Sequence, residues 1–195
     1  MNIGCVIMAA GRARRFGANK LLADLAGKPL LAHVLDSLPR EHLARIVAVV
    51  SDEDVAALCA GRGVTVVQYG GGAQSETVRR GMEQMEGMDG CLFVQGDQPL
   101  CTGRSMVRLL DAFCGAPGDV HRLSFGDIAG SPVVFPARLF GALGALTGEQ
   151  GGMAAARQTG AQVRLTQADF AGELLDADTP EALSELEKKF FEKSL

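Results

Sequence analysis

The chain has 195 residues, 47% of them hydrophobic and 22% charged, and a formal net charge of −4. That length suits one ordinary domain with a sizeable core, read here as a single domain over residues 1–195. An acidic chain with nine Phe, one Tyr and no Trp argues against nucleic-acid binding, and no apolar run approaches the roughly 20 residues of a membrane helix.

Met1-Asn2 leads straight into the apolar run Ile3–Met8, without a basic segment, an apolar leader or a cleavage site, so a cytoplasmic protein is expected. Ile3–Met8 reads as a buried parallel strand. It ends in Ala9-Ala10-Gly11, where small residues let backbone N–H groups approach a ligand closely. Arg12, Arg14, Arg15 and Lys20 follow, opposed only by Asp24 before Lys28. A strand, a Gly-containing turn and clustered cations together form a way for an α/β protein to hold a polyphosphate. A plain strand–helix turn with a solvated basic face is the other reading. Cations concentrated in one stretch of an acidic chain favour a small anionic ligand over a long one.

After Gly27-Lys28-Pro29 a helix is expected. Pro29 suits its first turn, Leu30, Leu31, Val34, Leu35 and Leu38 share one face, and Pro39 ends the run. Strands follow at Ile46–Val50, Val64–Gln68 and Cys91–Val94, with helices at Glu53–Cys59, Glu76–Met85 and Arg104–Phe113. Fainter strand patterns lie at Val120–Phe125, Pro132–Phe135, Val163–Leu165 and Glu173–Leu175, and further helices at Ala137–Leu143 and Pro180–Phe191. Thr179-Pro180 opens the last helix as cap and first residue. In Gly115–Gly130, rich in Gly and Asp, parallel winding is expected to give way to an irregular insert. The alternation of apolar runs and helical patterns predicts a mostly parallel sheet covered on both faces, a three-layer α/β/α arrangement.

Five cysteines, Cys5, Cys59, Cys91, Cys101 and Cys114, form no C-x-x-C and no zinc spacing with histidine, which fits a reducing compartment. His33, His42 and His121 belong to no recognisable catalytic arrangement. The chemistry gathers instead where strands should end. Gly11, Gly70-Gly71-Gly72 with Ser75, Gly96-Asp97-Gln98-Pro99, and Asp176-Ala177-Asp178-Thr179-Pro180 each follow a predicted strand, and ligands of open α/β sheets bind beyond that edge. Asp97, leaving an apolar strand between Gly96 and Pro99, is the leading metal-ligand candidate, with Asp178 as the second carboxylate. Mg²⁺ prefers one or two carboxylates plus substrate phosphate oxygens. Asp176 is a neighbour or merely solvated.

The spacing fits neither a Walker A loop nor the G-x-G-x-x-G fingerprint, since Gly17 is followed by Ala18-Asn19 before Lys20. It resembles the A-A-G-x-S-x-R-M-G-x-x-K loop of the MobA-like nucleotidyltransferase family, on the molybdenum cofactor cytidylyltransferase side, through Ala9, Ala10, Gly11, Arg15, Phe16, Gly17 and Lys20. Ala13 stands where the family has Ser. Gly96–Pro99 resembles the family's G-D-Q-P and Asp176–Glu181 its D-x-D-T-P-E. Gly70 to Gly81 is similar to its G-x-S-x-S-L-x-x-G-L base-binding turn, with Ser75 on the base, Thr77 loosely at the second Ser and Val78 at the Leu.

That resemblance implies a Rossmann-like sheet of the nucleotide-diphospho-sugar transferase type. It also implies transfer of CMP from CTP to the terminal phosphate of (Mo-)molybdopterin, with pyrophosphate released. By the same resemblance Ala9, Ala10, Gly11, Arg12, Arg15, Lys20, Gly72, Ser75 and Gly96 hold nucleotide. Arg15, Lys20 and Asp97 are catalytic, and Asp97 and Asp178 hold Mg²⁺. A molybdenum hydroxylase of the xanthine dehydrogenase type is the implied recipient. Two segments depart from the pattern. Ser131 replaces His in Gly130-Ser131-Pro132, and Met153 replaces Arg after Gly148–Gly152, both where the family faces its acceptor. A guanylyl- or sugar-phosphate nucleotidyltransferase, and a non-catalytic pterin carrier, therefore stay open.

Overall fold

The computed structural model describes residues 1–11 and 19–193. Its first strand, β1 (Ile3–Ala9), is buried on both faces. Ile3, Cys5, Ile7 and Ala9 enter one apolar cluster, while Val6 and Ala10 enter the other. Alternate residues of a strand point to opposite faces, so a strand covered twice must be apolar throughout. After a two-stranded ribbon, β2 (Asp24–Leu25) and β3 (Lys28–Pro29), the chain forms α1 (Leu30–Ser37), β4 (Arg45–Val50), α2 (Glu53–Ala60), β5 (Thr65–Gln68), α3 (Gln74–Met82) and β6 (Gly90–Gln95). The remaining elements are α4 (Gly103–Gly115), β7 (Val120–Phe125), β8 (Ile128–Pro136), α5 (Phe140–Gly144), α6 (Gly152–Gln158), β9 (Val163–Gln167) and α7 (Pro180–Lys193).

The seven-stranded sheet runs β5-β4-β1-β6-β8-β7-β9, with β5, β4, β1 and β6 mutually parallel. β8 runs antiparallel to β6 and β7, and β9 lies parallel to β7 at the edge. One cluster joins the sheet to α1, α2, α4 and α7 through Leu31, Val55, Leu109 and Leu186. The other joins it to α3, α5 and α6 through Val78, Leu143 and Ala155. These are the three layers expected. The chain winds outward from β1 to β4 and β5, then returns to β1's other side as β6. That reversal opens a crevice beyond the carboxyl ends of β1 and β6.

Three expectations need correction. Residues 115–130 are not an irregular insert. They begin a β7–β8 hairpin, turned by Gly126 at φ 56° where an L side chain would be strained. Glu173–Leu175 is not a strand, because Ala171–Leu174 is a 3₁₀ turn around a fully buried Glu173 carboxylate. That carboxylate accepts bonds from Thr102 N (2.9 Å), Thr102 Oγ1 (3.0 Å), Ser105 Oγ (2.9 Å) and Asp169 N (2.8 Å). An acidic group at the start of α4 satisfies amides the helix leaves unpaired, which a strand register could not do. The third is a helix without forecast, α6, whose Met-Ala-Ala-Ala core shows little apolar periodicity.

Candidate functional site

β1 delivers Ala10 and Gly11 to the crevice, and β6 delivers Asp97 beside them. The Gly96 N–H donates to Met8 O at 3.0 Å, and a Cβ on Gly96 would lie 3.1 Å from the same oxygen. Glycine at 96 thus lets the β6 turn close onto β1 and fixes where Asp97 begins. The loop that carries Asp176 and Asp178, which follows the 3₁₀ turn, is tied directly to the β6 turn. Ala177 N donates to Asp97 O at 3.1 Å, and Gln98 Nε2 donates to Leu174 O at 3.2 Å. Asp97 and Asp178 therefore arrive together although 80 residues of chain separate them, by about that count in sequence.

Between the two carboxylates stands Lys20. Its Nζ donates to Asp97 Oδ2 at 2.6 Å and to Asp178 Oδ1 at 2.7 Å. Desolvation works against this ammonium. Asp97 and Asp178 outweigh it, so the Lys20 pKa is held above the usual lysine range and the group is charged at neutral pH. Asp176 lies close enough to be affected. Desolvation first, then the charges of Asp178 and Asp97, push its carboxyl upward against the pull of Lys20. Lys20, expected from the resemblance to hold nucleotide, is thus placed on the two carboxylates.

A pocket of about 270 Å³ opens at this point, lined by Ala10, Gly11, Lys20, Gly72, Asp97 and Gln95, with Gln74, Thr77 and Glu149 on its other wall. Of the nucleotide-binding residues expected from sequence, Ala10, Gly11, Lys20 and Gly72 reach the wall. Ala9 and Gly96 lie buried behind it. Ser75 is 2% exposed and off the wall. Its N–H donates to Gly148 O at 3.2 Å, and α3 begins at Gln74 after Ala73, which pushes Ser75 into the first turn. Gln74 and Thr77 take the wall positions instead, Thr77 bonded to Tyr69 at 2.7 Å. Thr77 carried a sequence signal only as the loose counterpart of the second Ser in the base-binding turn, and Gln74 only through its neighbourhood to Gly70–Gly72. Arg12 and Arg15 lie outside the described residues.

Two carboxylate oxygens within 2.7 Å of one ammonium nitrogen show that a single cation can touch both. This donor set fits Mg²⁺ or Mn²⁺, which take one or two carboxylates and complete the shell with substrate oxygens and water. Among the described residues no group of three or more His, Cys, Asp or Glu could hold a metal. The histidines are structural by contrast. His33 donates to Leu25 O at 2.7 Å and burial lowers its pKa, while His121 donates to Ala116 O at 3.1 Å. Burial also pushes the Cys5 thiol up to about 12, which keeps it unreactive. No helix among the described residues is long and apolar enough to cross a membrane.

Known proteins resemble this arrangement. The chain is 30% identical over 134 residues to the bifunctional enzyme IspD/IspF of Rhodospirillum rubrum, covering 64% of this chain and 35% of that protein. Over 51 residues it is 39% identical to the probable molybdenum cofactor guanylyltransferase of Pyrococcus horikoshii, covering 26% of this chain and 27% of that protein. The matches thus span about a third of these relatives' lengths or less. The structure of Rv0371c from Mycobacterium tuberculosis H37Rv in complex with manganese superposes with a TM-score of 0.81 at 23% identity, over 96% of this chain and 99% of that one. A family described as the MobA-like NTP transferase domain matches residues 5–163, and the chain belongs to that family.

Proposed function

We propose that this chain, acting as one domain, is a Mg²⁺-dependent nucleotidyltransferase that moves CMP from CTP to the terminal phosphate of molybdopterin. The observation that carries the reading is the meeting of Lys20, Asp97 and Asp178 at the mouth of a pocket walled by Ala10, Gly11 and Gly72. The terminal phosphate oxygen of the acceptor attacks the α-phosphorus of CTP, and the bond to the β-phosphate oxygen breaks, so pyrophosphate leaves with its electron pair. The attacking phosphate is already ionised, so no general base is required.

Such a transfer needs positioning and charge neutralisation more than covalent help. The Ala10-Gly11 turn, small enough for close backbone approach, receives the triphosphate. Lys20 exchanges carboxylate oxygens for phosphate oxygens and offsets the charge growing on the leaving pyrophosphate. Arg12 and Arg15 add cationic charge to the same loop, and Gly72 leaves room on the opposite wall. Held by Asp97 and Asp178, Mg²⁺ would neutralise and align the α-phosphate.

The preference for cytosine rests on resemblance in Ala9–Gly11 and Gly96–Pro99. The Pyrococcus horikoshii relative favours a second reading, a guanylyltransferase with the same cation site. The product would pass to a molybdenum hydroxylase in the cytoplasm. Purified protein with Mg²⁺, molybdopterin and CTP, GTP or ATP in turn tests this by pyrophosphate release. Release with CTP alone is expected, and release with GTP alone assigns the guanylyl reading. Silence with every nucleotide while pterin is still bound would replace the enzyme with a cofactor carrier.

A further inference from the structure

A second cavity, of about 220 Å³, adjoins the first and shares Met8, Gln74 and Gln95 with it. Its walls combine apolar side chains with the polar Gln74, Gln95, Arg122, Ser131 and Arg157. Phe93 and Phe135 meet edge to face with centroids 5.5 Å apart, flanked by Val133 and Met153. Two arginines line this cavity, half-buried Arg122 from β7 and exposed Arg157 from α6. Among the described residues neither is ion-paired. Arg122 spends its Nε on Gly130 O at 2.7 Å, which leaves its terminal nitrogens for another acceptor. Burial and the charge of Arg157 hold the Arg122 pKa below the ordinary guanidinium range, so the two cations repel each other across the cavity.

Half-buried Arg122, with the like charge of Arg157 near it and no acidic partner among the described residues, favours a ligand that supplies the opposite charge. Local packing brings them together. A Cβ on Gly152 would lie 2.8 Å from Phe135 Cζ, so glycine there lets α6 close on the ring. Arg157 then stands on α6 one turn beyond Met153. Two guanidinium groups beside apolar side chains suit an oxyanion borne by an apolar body, through bidentate bonds.

We infer that Arg122 and Arg157 bind an oxyanion of the acceptor, a phosphate or carboxylate attached to an apolar body that enters the cavity beside Phe93, Phe135 and Met153. The assignment to the acceptor rests on the nucleotidyltransferase reading. A second substrate must enter beside the triphosphate, and this cavity opens onto that pocket through shared walls. The pair acts in binding and selection, apart from the carboxylates of Asp97 and Asp178.

The test uses the full chain, with phenyl phosphate, benzoate and phenol as probes and affinities read by calorimetry without nucleotide. The first two are expected to bind and phenol to bind far more weakly. Arg157→Gln should weaken both anions about ten- to a hundredfold, the loss of a charge-assisted bond, and Arg157→Lys should recover part of that. Arg122→Lys, which keeps the charge but loses the fork, gives an independent check with folding verified by circular dichroism. CTP affinity should change less than about twofold in Arg157→Gln. Anion binding indifferent to both arginines overturns the inference, as does an equal loss of CTP affinity, which would assign the pair to the nucleotide. If wild type releases no pyrophosphate yet binds phenyl phosphate through Arg157, the transfer reading fails and the anion site stands.

Discussion

Removing the Lys20 ammonium tests the site at its centre. Lys20→Met keeps the length of the side chain and leaves Asp97 and Asp178 facing each other without a counter-charge. The Lys20 and Asp97 side chains are 13% and 20% exposed, whereas Asp178 is 64% exposed. Stripping one partner from a fully buried pair costs about 3–5 kcal/mol, and a surface pair is worth about 0–1 kcal/mol. This half-buried triad falls between them, at about 1–2 kcal/mol. For a chain of this size that lowers Tm by roughly 2–8 °C. Divalent cations should reverse the loss. In the wild type Mg²⁺ competes with the ammonium for the same oxygens. In the variant it does not, and each tenfold gain in affinity adds about 1.4 kcal/mol at saturation. Thermal unfolding at neutral pH, with and without Mg²⁺, reads both effects, and Lys20→Met/Asp97→Asn should regain stability over Lys20→Met because the stranded charge has gone. A double variant no more stable than Lys20→Met, together with equal Mg²⁺ shifts in variant and wild type, would refute the reasoning.

Other consequences are as specific. Asp97→Asn should keep the fold and lower pyrophosphate release about a hundredfold or more, the scale of losing a transition-state charge stabiliser, measured at saturating Mg²⁺ and nucleotide. Glu173→Ala should destabilise by about 3 kcal/mol, because it leaves amides and hydroxyls at the start of α4 unpaired, and should loosen Asp178 enough to weaken divalent-metal affinity as well. Denaturant unfolding and a metal titration would show the two effects together. Acid sensitivity follows from Asp169, whose carboxyl the Arg108 bond foremost, with Arg104, holds below its ordinary 3.8. A depressed carboxylate contributes stability above the unfolded-state value of 3.8 and loses it as pH falls through the lower folded value. Asp169→Asn should therefore flatten the acid limb of the stability profile and leave the slope above pH 5 unchanged, to roughly that boundary.

The central strands were legible because burial on both faces demands unbroken apolar runs, as in Ile3–Ala9 and Gly90–Gln95. Asp97 stood out because it ends such a run, and Lys20 and Asp178 through the motifs they belong to; that the three side chains meet appears only in the structure. The misread segments share a different trait. Glu173 hides a buried carboxylate in what looks like a solvent-facing position, and its purpose appears only once α4 stands above it. α6 packs through alanines and glycines, Gly152 against Phe135, which carry almost no periodic signal. Ser75, expected on the base, falls in the first turn of α3 because the helix begins at Gln74, and there its side chain is buried off the pocket wall. Arg122 and Arg157 lie 35 residues apart by roughly that count, with nothing local to join them; the β7–β8 hairpin and α6 bring them to one cavity.

The most direct measurement is a Mn²⁺ titration followed by electron paramagnetic resonance on wild type, Asp97→Asn and Asp178→Asn, each with and without CTP. The account predicts one Mn²⁺ per wild-type chain, bound more tightly when CTP is present, and a marked loss of affinity in both variants. Wild-type affinity in both variants, or Mn²⁺ binding that CTP leaves unchanged, would contradict a cation site built from Asp97, Asp178 and the triphosphate.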